Sequence, residues 1–288
     1  EEEWGRGAPV DQFEKALKAD NAHSIRAVLV THNETSTGVR SDVAAVRRAL
    51  DATNHPAMLF IDGVSSIASM DFRMDEWGVD IAITGSQKGF MLPPGLAILG
   101  ISPKAKEAMT SAKCPRCFLD FRDMLRSYQN GGYPYTPPVN LIRGLEASIR
   151  MLEAEGLDNV FARHFRIAEG VRRAVTVWGL RLCAQEPELY SDTVSTVLMP
   201  QGFDGTKVAT HAASKYGVAF SIGLGKLAGK VFRIGHLGSM TDVMALSGIA
   251  TAEMTLADLG LPIRLGSGVA AAQDYYRNSF KTVQNQAA

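Results

Sequence analysis

Cysteine is scarce. Three in 288 residues is an odd and sparse set that makes a poor disulfide framework and suits a reducing compartment. Net charge is absent too, because thirty basic side chains cancel thirty acidic ones. No global field exists to draw nucleic acid or an anionic membrane. No uninterrupted apolar run is long enough to span a bilayer, and the opening Glu1-Glu2-Glu3 is acidic where a secretory signal would be basic and then apolar. These absences predict a cytoplasmic chain with neither nucleic acid nor membrane as partner. Internal repeats, charge blocks and low-complexity tracts are also missing, apart from a polar tail after Phe280 that reads as frayed. What is present is 46% hydrophobic residues, enough to build one large domain or two modest ones.

Two apolar runs end in reactive side chains. Val79 to Thr84 reads as a short buried strand, and Gly85, Ser86 and Gly89 let the backbone turn sharply around Lys88. Lys88 then sits at a strand's carboxyl end, the rim where open α/β sheets bind ligands. A partly desolvated lysine there can lose its proton and attack a carbonyl carbon, although an exposed loop lysine is the commoner fate. Ala57 to Asp62 is a second run, ending in a carboxylate that taken alone could be a helix cap. The interval between Asp62 and Lys88 leaves room for a crossover, so the two strands can be parallel and bring both residues to one edge. Pyridoxal phosphate requires such a pair: a lysine to hold its aldehyde carbon and a carboxylate to keep its pyridine nitrogen protonated.

The other elements follow from periodicity and punctuation. A helix is predicted from Asp11 to Ala19 and a strand from Ile25 to Thr31, followed by the hydroxyl-rich loop His32 to Gly38. Ser41 is expected to cap a helix containing Val43, Val46 and Leu50. Leu96 to Ile101 reads as a return strand and Pro103 as a helix start. From Cys114 to Pro138 the periodicity is weak, which predicts a long irregular segment of the kind that is functional or packed on a partner. Helical spacing returns from Val139 to Glu155 and again from Gly156 to Trp178. Beyond it strand and helix alternate: Val194 to Met199, Gly205 to Tyr216, Val218 to Ile222, Lys230 to Ile234, and a helix through Val243 to Leu259. The expected organisation is a large domain over 1–155 and a smaller α/β domain over 156–288. Within the second, Arg233 lies among apolar neighbours, where its planar fork fits a carboxylate or an ordinary salt-bridge partner.

Two further motifs carry less. Cys114-Pro-Arg-Cys117 has the spacing of a zinc half-site or a dithiol, but no second ligand pair accompanies it, so no metal is expected. Gly223-Leu-Gly225 imitates a dinucleotide turn, yet it leads into the strand Val231 to Ile234 where that fingerprint must open a helix.

The strings HNETSTGV, LFIDGVSSI, FRMDEWGVDIAITGSQKG, PPGLAIL and GKVFRIGHLG together resemble the class V, fold-type I pyridoxal-phosphate aminotransferases. Within that family the likeness is to the serine–glyoxylate branch, relatives of the alanine–glyoxylate enzymes, and it runs from about Trp4 to the GSGVAAA stretch. The resemblance implies a mainly parallel large-domain sheet with a smaller C-terminal α/β domain, and transfer of the L-serine amino group to glyoxylate. It also implies site roles: Lys88 and Asp62 catalytic, Thr35 on the cofactor ring oxygen, Gln87 anchoring the cofactor, Asn33 and Glu34 shaping the pocket floor, and Arg233 receiving the substrate carboxylate. Tyr133 and Thr136 would reach the cofactor phosphate of a second subunit, making a homodimer with composite sites. Family members carry a further N-terminal segment of about a hundred residues, roughly one small domain, holding the phosphate-binding loop and an aromatic that stacks on the cofactor. The opening here reads as an entry in mid-domain, which allows a non-catalytic fragment as an alternative. A cysteine desulfurase shares the fold, but Gln87 stands where its members carry histidine.

Overall fold

The computed structural model describes residues 4–284; the acidic Glu1-Glu2-Glu3 and the last four residues lie outside them. Helix α1 (Val10–Ala19) leads into strand β1 (Ala27–Thr31), a short hairpin of β2 (Asn33–Glu34) and β3 (Val39–Arg40), and helix α2 (Val43–Ala52). Strands β4 (Met58–Asp62), β5 (Ile81–Gly85) and β6 (Ala97–Ile101) then complete a sheet in the order β1-β4-β5-β6. The first three strands are parallel and β6 is antiparallel. Alternation along each strand sends Val28, Val30, Leu59, Ile61 and Ala82 to one face, where they form a core with Leu17, Val46 and Leu50 from the first two helices. The opposite face is open. Leu29 is 71% exposed there, with Ile83 and Leu99 at 38% and 37%.

Ser41 does not cap α2. Asp42 does, its carboxylate accepting the Ala45 N–H at 2.8 Å, while Ser41 Oγ accepts the Ala8 N–H and pins the chain's opening to the hairpin. Helix α3 (Pro103–Ser111) begins as expected, with Ser102 as its cap. The segment read as irregular contains a helix, α4 (Phe121–Gln129), started by Asp120. None of its residues is buried, although Phe121, Met124, Leu125 and Tyr128 recur at helical spacing along it.

Two long helices, α5 (Val139–Glu155) and α6 (Leu157–Val177), meet at Gly156, whose φ of +81° breaks the helical path. A second sheet follows, built from β7 (Arg181–Leu182), β8 (Val194–Leu198), β9 (Ser221–Ile222) and β10 (Val231–Gly235) in the order β7-β8-β10-β9, antiparallel throughout. Helix α7 (Gly205–His211) widens into a π-helical turn as far as Tyr216, so the single helix expected there changes pitch. The strand expected from Val218 shrinks to Ser221–Ile222. Helices α8 (Asp242–Asp258) and α9 (Ser267–Gln284) pack with α6 over this sheet, around Ile167, Val197, Phe232, Ile249 and Leu256. Helix α9 carries on beyond Phe280, where the polar tail read as frayed. Its start is held by Glu253, a buried carboxylate that accepts from the backbone N–H of Gly266 and Gly268, the Ser267 hydroxyl and Trp178 Nε1.

Candidate active site

The site is assembled at the carboxyl ends of β1, β4 and β5. Parallel pairing sets Thr31 beside Asp62 and Asp62 beside Ile83, two residues before β5 ends at Gly85. Each strand then turns away: the His32 N–H donates to the Asp62 carbonyl and the Gly63 N–H to that of Ile83. Three strand ends thus open onto one rim. The Asp62 side chain is exposed there, and one of its oxygens accepts the Val64 N–H at 2.9 Å. Behind it, buried His32 keeps Nδ1 2.9 Å from Ser66 Oγ and packs against Phe72 and Trp77. Burial, helped by the charge of Arg40, lowers the pKa of its imidazole to about 4.

Lys88 follows on a loop tied at both ends. Ser86 is fully buried; its hydroxyl donates to the Pro93 carbonyl at 2.7 Å and accepts the Leu96 N–H. Gly89 lies so close to the 67–69 segment that a Cβ would stand 2.3 Å from the Ile67 carbonyl oxygen. Only glycine fits that approach. On the far side Phe90 and Met91 pack against Leu152 and Val160 at the α5–α6 junction, and the Ser148 hydroxyl donates to the Phe90 carbonyl at 2.5 Å. Ala68 and Met91 both hold positive φ, +64° and +60°. Backbone strain therefore sits on both sides of the lysine. Lys88 itself is half-buried, and its ammonium has no hydrogen bond or ion pair among the described residues.

The second sheet supplies Arg233. Its Nε donates to the Ile222 carbonyl at 2.9 Å and its Nη1 to the Thr35 carbonyl at 2.8 Å, in the loop after β1. Two backbone oxygens hold this cation where sequence suggested an acidic partner. Burial pulls its pKa down, with Glu34 opposing. The hairpin β2–β3 is the seam between the sheets. Asn33 Nδ2 donates to Ser65 Oγ and to Thr193 Oγ1, the Ser191 N–H donates to the Gly38 carbonyl, and Arg40 Nη2 donates to the Glu188 carbonyl. Asn33, Thr35 and Arg233 are thus engaged across the seam, with Asp62 at the end of β4 and Lys88 on the loop after β5, where Gln87 is exposed beside it. Tyr133 and Thr136 are exposed on the segment between α4 and α5, and no contact joins them to the rim among the described residues. Sequence reasoning named Ser86 only as a turn residue and gave Ser65 and Ser66 no role, and it missed Ser148, which lies within α5 where no local signal marks it.

The donor set fits pyridoxal phosphate. The rim offers an unpaired lysine and a carboxylate with an oxygen to spare. Three buried side-chain oxygens without a partner, Asn33 Oδ1, Ser69 Oγ and Thr84 Oγ1, also belong to these segments.

Residues 7–230 match the family model described as aminotransferase class V. The chain is 68% identical over 285 residues to the L-aspartate–glyoxylate aminotransferase of Paracoccus denitrificans, covering 99% of this chain and 72% of that protein. It is 54% identical to the serine–glyoxylate aminotransferase of Hyphomicrobium methylovorum, covering 98% and 70%. Among solved structures, the pyridoxamine–pyruvate aminotransferase of Mesorhizobium loti superposes with a TM-score of 0.89 at 30% identity, over 96% of this chain and 70% of that one. The α/β architecture, the lysine and carboxylate at one sheet edge and these likenesses converge: the chain belongs to the class V aminotransferases, pyridoxal-phosphate enzymes of fold type I.

Proposed function

We propose that this protein transfers the amino group of an L-amino acid to glyoxylate, with pyridoxal phosphate held at the β1-β4-β5 rim. The observation that carries the reading is the shared edge of Asp62 and the Lys88 loop, joined to Arg233 through the Thr35 carbonyl. Bound there, the cofactor supplies an aldehyde and a protonated ring able to accept an electron pair. Lys88 would hold the aldehyde carbon and, once released, take the proton from the substrate α-carbon. Asp62 would keep the proton on the ring nitrogen. Arg233 has two donors committed to backbone oxygens, which fixes its plane and leaves Nη2 for the substrate carboxylate. Thr35 and Gln87 would anchor the cofactor and Asn33 would shape the pocket floor. Tyr133 and Thr136, being exposed, would serve the phosphate of a second subunit in a homodimer. The cofactor-holding unit is read as 1–155 and the smaller one as 156–288, meeting at Gly156.

The donor has two readings. Motif resemblance favours L-serine, whereas the 68% identity to a protein named for L-aspartate and glyoxylate favours L-aspartate. We take L-aspartate first. The test is glycine production from glyoxylate with pyridoxal phosphate and either amino acid. Faster glycine formation with L-aspartate supports this order, faster formation with L-serine reverses it, and no glycine from either defeats the function proposed.

A further inference from the structure

The aminotransferase reading leaves one motif unused, Cys114-Pro115-Arg116-Cys117. We propose that these cysteines form a thiol–disulfide site that reacts with small-molecule disulfides and, when closed, changes the segment carrying Tyr135.

Both thiols are exposed and only two residues separate them. The loop that carries them is folded around its own arginine. Arg116 donates to the Ala112 carbonyl at 3.2 Å, to the Cys114 carbonyl at 2.8 Å and, through Nε, to Asp120 at 3.2 Å, so residues 112–120 curl back on one guanidinium. Two intervening residues are the spacing of Cys-X-X-Cys dithiols. Strain lies beside it: Leu119 holds φ +57°, a left-handed conformation that crowds a leucine's Cβ against the backbone. The loop also has an outlet. The Leu119 N–H donates to the Tyr135 hydroxyl at 3.2 Å, and the Phe118 and Tyr135 rings lie 4.6 Å apart. Cys183 differs in every respect, being buried and raised in pKa by that burial.

The chemistry balances with a small disulfide as the oxidant. One protein thiolate attacks a sulfur of that disulfide and expels one small thiol; the second protein thiolate attacks the protein-side sulfur of the mixed disulfide and expels the other. The two protein thiols lose two protons and two electrons, and the small disulfide gains them. Closing the ring pulls Cys117 toward Cys114 and draws Phe118 and Leu119 off Tyr135.

The native protein treated with oxidised glutathione, then alkylated and weighed by mass spectrometry, tests this without any activity assay. The expected product is lighter by two hydrogens, carries no glutathione, leaves only Cys183 open to alkylation after unfolding, and reverts with dithiothreitol. Cys114→Ser should instead retain one glutathione on Cys117. Stable glutathione on the native protein, a disulfide between two copies, or no reaction at Cys114 and Cys117 would each overturn the proposal. Hydrogen exchange provides the second measurement: faster exchange of the Leu119 amide after oxidation is expected, and unchanged protection there refutes the link to Tyr135.

Discussion

At the scale of single residues, the site pairs an uncommitted cation with a committed one. Lys88 has no partner among the described residues, while Arg233 is fixed by the carbonyls of Ile222 and Thr35. Their substitutions should therefore fail differently. Lys88→Ala removes the proposed proton-transfer group, and kcat should fall by about a thousandfold or more. Arg233→Ala removes charged hydrogen bonds of about 1.5–3 kcal/mol each, so KM for the amino acid should rise roughly 10- to 100-fold with a smaller change in kcat. Steady-state kinetics on both variants checks the contrast, and equal losses in kcat would contradict it. His32 gives a pH prediction. Its folded pKa of about 4 lies below the ordinary 6.5 because burial disfavours the cation. The unfolded chain takes up that proton first, so the contribution of neutral His32 is complete above about pH 6.5 and is lost as pH falls toward 4. Buried His236, lowered to about 3, acts in the same direction. Its Nδ1 donates to the Asp192 carbonyl and its Nε2 faces the Ser195 hydroxyl, an arrangement that needs the neutral ring. Urea midpoints should drop between pH 7 and pH 5, and His32→Gln should flatten part of the drop.

At the scale of elements, buried carboxylates do the joining. Asp80 accepts the Leu59 N–H at 2.9 Å and the Ser102 hydroxyl at 2.8 Å, which fastens β4 and the cap of α3 to the start of β5. Glu253 gathers four donors at the start of α9. Glu253→Ala would leave those donors buried and unpaired, so unfolding free energy should fall by about 3 kcal/mol or more. Calorimetry measures the loss, and limited proteolysis should show α9 released first. Neither carboxylate was legible beforehand, since a buried acid and a solvated one look alike in a sequence. The strands were legible because Ala57 to Asp62 and Val79 to Thr84 are apolar runs with abrupt polar ends. Helix α4 was overlooked although Phe121, Met124, Leu125 and Tyr128 recur at helical spacing, because the glycine, proline and aromatic residues around it masked a helix of only nine residues. Asp62 and Lys88 could be paired from spacing alone, but the orientation of Arg233 by Thr35 depends on a contact across 198 positions that no local pattern encodes.

At the scale of the whole molecule, the first sheet has one clothed face and one bare one. Parallel strands are ordinarily covered on both sides, and here Leu29, Phe60, Ile83 and Leu99 line a shallow hollow on the open side. An exposed apolar area of this kind should bind a hydrophobic dye and promote self-association. Leu29→Lys combined with Ile83→Lys should reduce both, as read by dye fluorescence and sedimentation velocity, with little change in thermal midpoint. Undiminished dye binding would place the exposed apolar surface elsewhere. The hairpin between the sheets bears on how the enzyme can move. Asn33, Gly38, Arg40 and the Thr35 carbonyl each engage the second sheet or its approaches, while the same hairpin grows directly out of β1. A joint riveted at four points is a poor axle. The guanidinium proposed to grip the substrate and the rim proposed to transform it should therefore travel as one rigid jaw, leaving admission and release to whatever closes over them from outside.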